Sequence, residues 1–189
     1  TLIGITGNIA TGKSVVHRML ANTGALGLDA DVIAHRMIYP QGPAFQAVVG
    51  TFGRGILNQN GEINRAKLGE IVFNHPDQLE ILESIVHPAV SRAIHHRLDQ
   101  SQSRLAALEA IKLFEAGLDE ICDAVWVSHA PQTVQLERLL ETRGLSKEAA
   151  QTRIDAQPPQ EKKLNRADLV INTDGPFQST WTQVIEGLN

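Results

Sequence analysis

Residues 4–14 read G-I-T-G-N-I-A-T-G-K-S, and within them G-N-I-A-T-G-K-S at 7–14 fits the pattern G-x-x-x-x-G-K-[S/T]. Gly7 and Gly12 let the backbone turn tightly. The N–H groups of Asn8, Ile9, Ala10 and Thr11 can then line one concavity. A helix starting at Lys13 adds the positive end of its dipole at the same place. Lys13 supplies an ammonium for β- and γ-phosphates, and Ser14 a hydroxyl for Mg²⁺. The motif needs a strand before it and a helix after it. Leu2 to Ile5 is an apolar run suited to a strand buried on both faces. From Lys13 onward Val15, Val16, Met19 and Leu20 share one helical face, and Asn22 and Gly24 close the pattern. The stretch therefore specifies a strand–loop–helix unit that binds a nucleoside triphosphate with Mg²⁺.

Further strands are expected at 25–29, 105–110, 124–128 and 169–172, with helices at 131–141 and 177–188. Strands alternating with helices imply an α/β fold around a mainly parallel sheet of about five strands. The connection from about residue 30 to 104 is too long for one crossover helix, and it carries helical patterns at 43–50, 65–73, 76–86 and 88–99. It reads as an inserted helical subdomain. A second insertion, about 141–166, is polar and contains P-P. From Arg138 to Arg166 seven basic residues face four acidic ones, inside a chain of net charge −4. That excess suits either a solvated face or a lid closing over phosphate.

At 189 residues with 42% apolar and 20% charged residues, the chain is an ordered globule able to bury a core. Its negative charge argues against nucleic-acid coating by counterion release. Its one cysteine, Cys122, cannot pair within the chain and fits a cytosolic setting; the strand-like start does not read as a leader, and no membrane span is expected. No Asp is followed by Gly three positions later and N-K-x-D is absent, so a GTPase switch is excluded. Size and two insertions favour a phosphotransferase that closes over two substrates. Asp29 and Asp31, flanking Ala30 at the carboxyl end of the second strand, lie at the sheet edge that holds ligands in open α/β folds. Either could take a proton from an attacking hydroxyl or help place Mg²⁺, and either could instead cap the next helix. His87, His95 and His96 lack the spacing and partners of a metal site. Trp126, Trp181, Phe52 and Phe73 read as packing residues. On these residues alone, another small kinase acting on a nucleoside monophosphate or small alcohol, or a nucleotide-binding module without turnover, stays open.

The chain resembles the dephospho-CoA kinase family along almost its whole length. The resemblance rests on the P-loop stretch at 4–14, L-D-A-D-V-I-A-H at 28–35, F-G-R-G-I-L at 52–57 and G-E-I-N-R-A-K-L at 61–68. It continues with I-V-H-P-A-V at 85–90, L-F-E-A-G-L at 113–118, Q-L-E-R-L at 135–139, R-I-D-A-Q at 153–157 and R-A-D-L-V-I-N at 166–172. It implies ATP-dependent phosphorylation of the ribose 3′-hydroxyl of dephospho-CoA. It also implies a P-loop core (1–30, 104–140 and 165–189), a helical acceptor-binding insertion (31–103) and a lid (141–164). Carried over by position, Asp31 is the general base with Asp29 beside it. Arg138 contacts the transferring phosphate, Asn172 lies near adenine, and Arg65 and His87 border the acceptor site. Glu109, Ile111 and Lys112 depart from the family's D-x-P-L pattern, and His35 stands where Arg is common. Asn8 and Ala10 stand where the family often has Gly, a change expected to be tolerated if φ is negative there.

Overall fold

The computed structural model describes residues 1–189 and divides them into two compact units, Thr1–Leu28 with Gln102–Asn189, and Asp29–Ser101. The first unit holds a five-stranded parallel sheet in the order β2-β3-β1-β4-β5, from β1 (Leu2–Thr6), β2 (Leu26–Asp29), β3 (Ala106–Glu109), β4 (Ala124–His129) and β5 (Leu169–Asn172). β1 runs parallel to both β3 and β4, with Ile5 beside Glu109 and beside Trp126; β4 runs parallel to β5, with His129 beside Asn172. β2 joins β3 at the edge, where the Leu26 N–H donates to Leu105 O at 2.9 Å. The carboxyl ends of the central strands thus meet the P-loop and Glu109 at one edge.

β1 is buried at every position, as its apolar run predicts. Helices α1 (Lys13–Asn22) and α9 (Phe177–Gly187) cover one core, in which Ile3, Ile5, Val16, Met19, Leu20, Trp126 and Val184 are buried. Trp181 packs against it, so both tryptophans serve packing. The remaining helices of this unit are α6 (Gln132–Arg143), α7 (Lys147–Asp155) and the single turn α8 (Glu161–Leu164), in the chain order used here. Leu139 of α6 and Ala150 and Ile154 of α7 form a second small core, and Ile9 and Ala10 of the P-loop pack against it.

The second unit is helical: α2 (Ala30–Met37), α3 (Phe45–Phe52), α4 (Arg65–Phe73) and α5 (Pro76–Asp99). Its core joins Phe45, Val48, Ile56, Ile63, Leu68 and Val72, with Phe52 packed against it. Two expectations fail here. Phe73 is 80% exposed rather than core. The patterns at 76–86 and 88–99 form one 24-residue helix that runs through Pro88. Pro88 forfeits the N–H bond to Ser84 O, a loss worth about 3 kcal/mol in a helix interior. The helix survives because Leu79, Leu82, Ile85 and Val86 pack on the unit's core and Ala89, Val90 and Ile94 are buried further along. Tertiary burial on both sides of the break outweighs the local penalty.

Candidate active site

β1 delivers the chain to Gly7 and α1 receives it at Lys13, so the loop's geometry follows from a few backbone angles. Gly7 has φ 147° and Gly12 has φ 87°. A Cβ on Gly7 would lie 2.6 Å from Ser128 O and 2.6 Å from Ser128 Oγ; one on Gly12 would meet the Thr173 side chain at 3.0 Å. Gly7 leaves no room for a side chain, and at Gly12 one would be strained by the positive φ and would press on Thr173. Gly12 also gives α1 an N-cap without a side-chain acceptor, leaving the dipole's positive end to an incoming anion. Ala10 adopts φ 57° rather than the negative φ expected of a non-glycine residue. Its methyl packs on the small α6–α7 core, which compensates for the left-handed strain of about 1 kcal/mol.

Long-range polar contacts hold the loop. Thr11 is fully buried, and its hydroxyl donates to Asn8 O at 2.8 Å and pairs with Ser128 Oγ at 2.8 Å. Thr173 Oγ1 donates to Thr11 O at 2.8 Å. Half-buried Arg138 reaches from α6: Nη1 donates to Ala10 O at 3.0 Å and to Thr173 Oγ1 at 3.1 Å, and Nη2 donates to Thr173 O. The segment between α7 and α8 also lies on the loop. Ile9 N–H donates to Gln157 Oε1 at 2.8 Å, Asn8 Nδ2 to Pro158 O at 3.0 Å, and Gln160 Nε2 to Ser128 O at 2.8 Å. Asn8 Oδ1 and Gln160 Oε1 are buried there without a protein partner. Of the basic residues in this region, Lys163 and Arg166 serve the fold as well. Lys163 Nζ donates to Ile111 O at 2.6 Å, and burial pushes its ammonium below the usual lysine range despite Glu115 nearby. Arg166 pairs with Asp119 at 2.7 Å and stacks on Phe114.

Lys13 is buried, and its Nζ donates to Gly7 O and Asn8 O, both at 2.9 Å. The ammonium is thus poised inside the loop, and transfer to a phosphate would replace neutral acceptors by charged ones. Ser14 Oγ donates to Glu109 Oε1 at 2.7 Å. A hydroxyl and a carboxylate are hard oxygen donors, and the chain has no cluster of three or more His, Cys, Asp or Glu that could hold a metal. A divalent cation at Ser14 would therefore take most of its ligands from phosphate and water, which is the habit of Mg²⁺. The departure from Asp to Glu at 109 keeps a carboxylate in hydrogen-bond reach of the motif's serine.

The other expected residues lie as follows. Asn172 ends β5 exposed, with its backbone N–H and C=O both bound by the Gln183 side chain at 2.9 Å. Asp29 caps α2, its Oδ1 accepting from Val32 N at 2.9 Å, so one of the two carboxylates is spent on the cap. Asp31 is exposed in the first turn of the same helix. Arg65 opens α4 behind the Asn64 cap and is exposed, while His87 is half-buried in the middle of α5. Asp29, Asp31, Arg65 and His87 all belong to the second unit. Sequence reading alone passes over Ser128, Gln160 and Thr173, because their roles depend on partners far away in the chain. Gln157 has a sequence signal only as the end of R-I-D-A-Q. Cys122 stands before β4 with Sγ near Leu118 O; burial, with Asp119 and Asp123 close by, pushes its thiol up to about 12. It is a packing thiol and no nucleophile.

The chain is similar to known proteins along almost its whole length. Residues 1–179 match the family model described as dephospho-CoA kinase. A dephospho-CoA kinase from Carboxydothermus hydrogenoformans is 42% identical over 187 residues, covering 97% of this chain and 91% of the relative. Among solved structures, a Thermus thermophilus protein superposes with a TM-score of 0.86 at 30% identity, covering 99% of this chain and 95% of that one. A dephospho-CoA kinase from Campylobacter jejuni does so with a TM-score of 0.69 at 28% identity, covering 99% and 94%.

Proposed function

The chain belongs to the dephospho-CoA kinase family, which uses ATP in the final step of coenzyme A synthesis, and from that premise we propose how its own residues divide the work. The substrates are ATP and dephospho-CoA. The ribose 3′-hydroxyl oxygen of dephospho-CoA bonds to the γ-phosphorus, the bond from that phosphorus to the β,γ-bridging oxygen breaks, and ADP leaves with that oxygen. The hydroxyl proton passes to the Asp31 carboxylate. Phosphoryl transfer asks little covalent work of a protein, so positioning and charge neutralisation carry most of the rate.

The loop amides and the N-terminus of α1 receive the phosphates, the Ile9 N–H by giving up Gln157 Oε1, and Lys13 exchanges Gly7 O and Asn8 O for phosphate oxygens. Ser14 and Glu109 would hold Mg²⁺, which when bound neutralises charge on the β- and γ-phosphates. Arg138 contributes first by fixing Ala10 and Thr173. Contact with the transferring phosphate, the role the resemblance implies, requires it to exchange at least one of those acceptors. Asn172 borders the adenine, while Asp29, Arg65 and His87 serve the acceptor side. Residues 141–164 act as the lid, tied to the loop through Gln157 and Pro158. No helix is long and apolar enough to cross a membrane. The single, half-buried cysteine supports placing the enzyme in the cytosol.

The observation that carries the reading is the buried Lys13 ammonium inside a loop whose two glycines both adopt positive φ, Gly7 with no room for a side chain. The test is ADP release from ATP with dephospho-CoA, AMP or shikimate as acceptor. Turnover with dephospho-CoA alone is expected; turnover with AMP or shikimate and none with dephospho-CoA would overturn it. Asp31→Asn should lower kcat by orders of magnitude and leave ATP affinity nearly unchanged. If Asp29→Asn does so instead, the base is the other carboxylate.

A further inference from the structure

We propose that Gln183 is a positioning residue for base recognition: it clamps the Asn172 backbone and leaves the Asn172 carboxamide to tell adenine from guanine. The proposal rests on the reading above that Asn172 borders the adenine. β5 is an edge strand of the sheet, and an edge leaves peptide groups unpaired. Thr173 N–H donates to His129 O at 2.9 Å, so the peptide groups of residue 173 face β4 and those of Asn172 face the open side. Gln183 of α9 meets both Asn172 groups there. Its Oε1 accepts from Asn172 N–H at 2.9 Å, and its Nε2 donates to Asn172 O at 2.9 Å. Nε2 also donates to Ser179 O at 3.2 Å, one turn earlier in α9. A peptide N–H only donates and a peptide oxygen only accepts, so the orientation of the Gln183 carboxamide is fixed. The side chain supplies at one residue the pairing that a sixth strand would give.

Thr180 Oγ1 donates to the same Asn172 oxygen at 3.5 Å. With its backbone groups engaged, Asn172 meets a base through its exposed side chain. A carboxamide offers one acceptor beside its donors. Adenine presents the N6 amino group beside the N7 acceptor, which matches it; guanine presents two acceptors there, O6 and N7, which do not. Such a bidentate pair separates the right base from the wrong one by about 5–150-fold. It does so only if the carboxamide is held in place. Thr173, the next residue, donates through Oγ1 to Thr11 O at 2.8 Å, which ties this strand end to the phosphate loop. Gln183 ties it to α9. The position of Asn172 is thus set from both sides by contacts that involve no nucleotide.

The test measures ADP and GDP dissociation constants by isothermal titration calorimetry, so it does not depend on turnover. The wild type should prefer ADP by at least about tenfold. Asn172→Ala should remove most of that preference, and Gln183→Ala should reduce it about fivefold, the lower end of the range. The double variant should match Asn172→Ala, because Gln183 acts through Asn172. Gln183→Glu can still accept from Asn172 N–H but cannot donate to Asn172 O, so it should fall between the wild type and Gln183→Ala. Gln183→Met keeps the side chain's length without the amide, and it carries the comparison if Gln183→Ala fails to fold. A merely structural clamp would lower the melting temperature and leave the ADP-to-GDP ratio unmoved. An unchanged ratio in Gln183→Ala or Gln183→Met beside a reduced one in Asn172→Ala overturns this proposal alone, as do additive losses in the double variant. Equal affinities in the wild type, or an unchanged ratio in Asn172→Ala, overturn the base reading and this proposal together.

Discussion

Removing the Arg138 guanidinium separates a structural brace from a purely chemical role. Arg138→Ala takes away three donations, to Ala10 O at 3.0 Å, to Thr173 Oγ1 at 3.1 Å and to Thr173 O. A hydrogen bond from a charged donor is worth about 1.5–3 kcal/mol net. The three share one half-buried side chain, and water can replace some of them, so their sum is smaller than three separate bonds. A loss of about 3 kcal/mol follows, equivalent to roughly 6–12 °C in a chain of this size. Arg138→Lys keeps the charge, but one ammonium cannot span the acceptors of Ala10 and Thr173, so it should recover about 1 kcal/mol. Urea denaturation and thermal melting of the wild type and both variants measure these losses, and ATP titration reports on the loop. KM for ATP should rise in step with the stability loss, since Ala10 sits in the phosphate loop. A melting temperature unchanged within about a degree in Arg138→Ala, with kcat reduced, would refute the brace and leave Arg138 a role in chemistry only.

Gly7→Ala should cost at least about 2 kcal/mol and abolish ATP binding in calorimetry, because φ 147° and a Cβ 2.6 Å from Ser128 O leave no room; wild-type affinity would contradict the loop geometry. Asp29→Ala should cost about 1 kcal/mol through loss of the α2 cap, whereas Asp29→Asn keeps the cap and should cost much less in the same denaturation assay. Cys122 has a folded pKa of about 12 against an ordinary 9.0. Its stabilising contribution is therefore complete below pH 9.0 and is lost as pH rises from there towards about 12. At pH 8 the native thiol should react with iodoacetamide about a thousandfold more slowly than in urea, by its thiolate fraction alone; equal rates would place the thiol in an ordinary environment.

How much the sequence reveals differs between residues for identifiable reasons. The P-loop is readable because its geometry is local: two glycines, a strand before and a helix after suffice to place Lys13 and Ser14. Pro88 misleads because its penalty is local and the burial that outweighs it is not. Ala10 misleads in the same way, its φ of 57° being maintained by packing against α6 and α7. Asp29 shows the middle case: the sequence narrows it to cap or base, and the bond to Val32 N settles the cap.

By itself, then, the sequence determined a triphosphate loop on a parallel α/β sheet, since strand, turn and helix there arise from neighbours within about ten residues. Only the tertiary structure decided what holds that loop and its serine. Gln157, Arg138 and Thr173 meet it from more than a hundred residues away, and Glu109 reaches Ser14 from the end of β3. Such contacts depend on strand order and helix docking, and no local spacing encodes them.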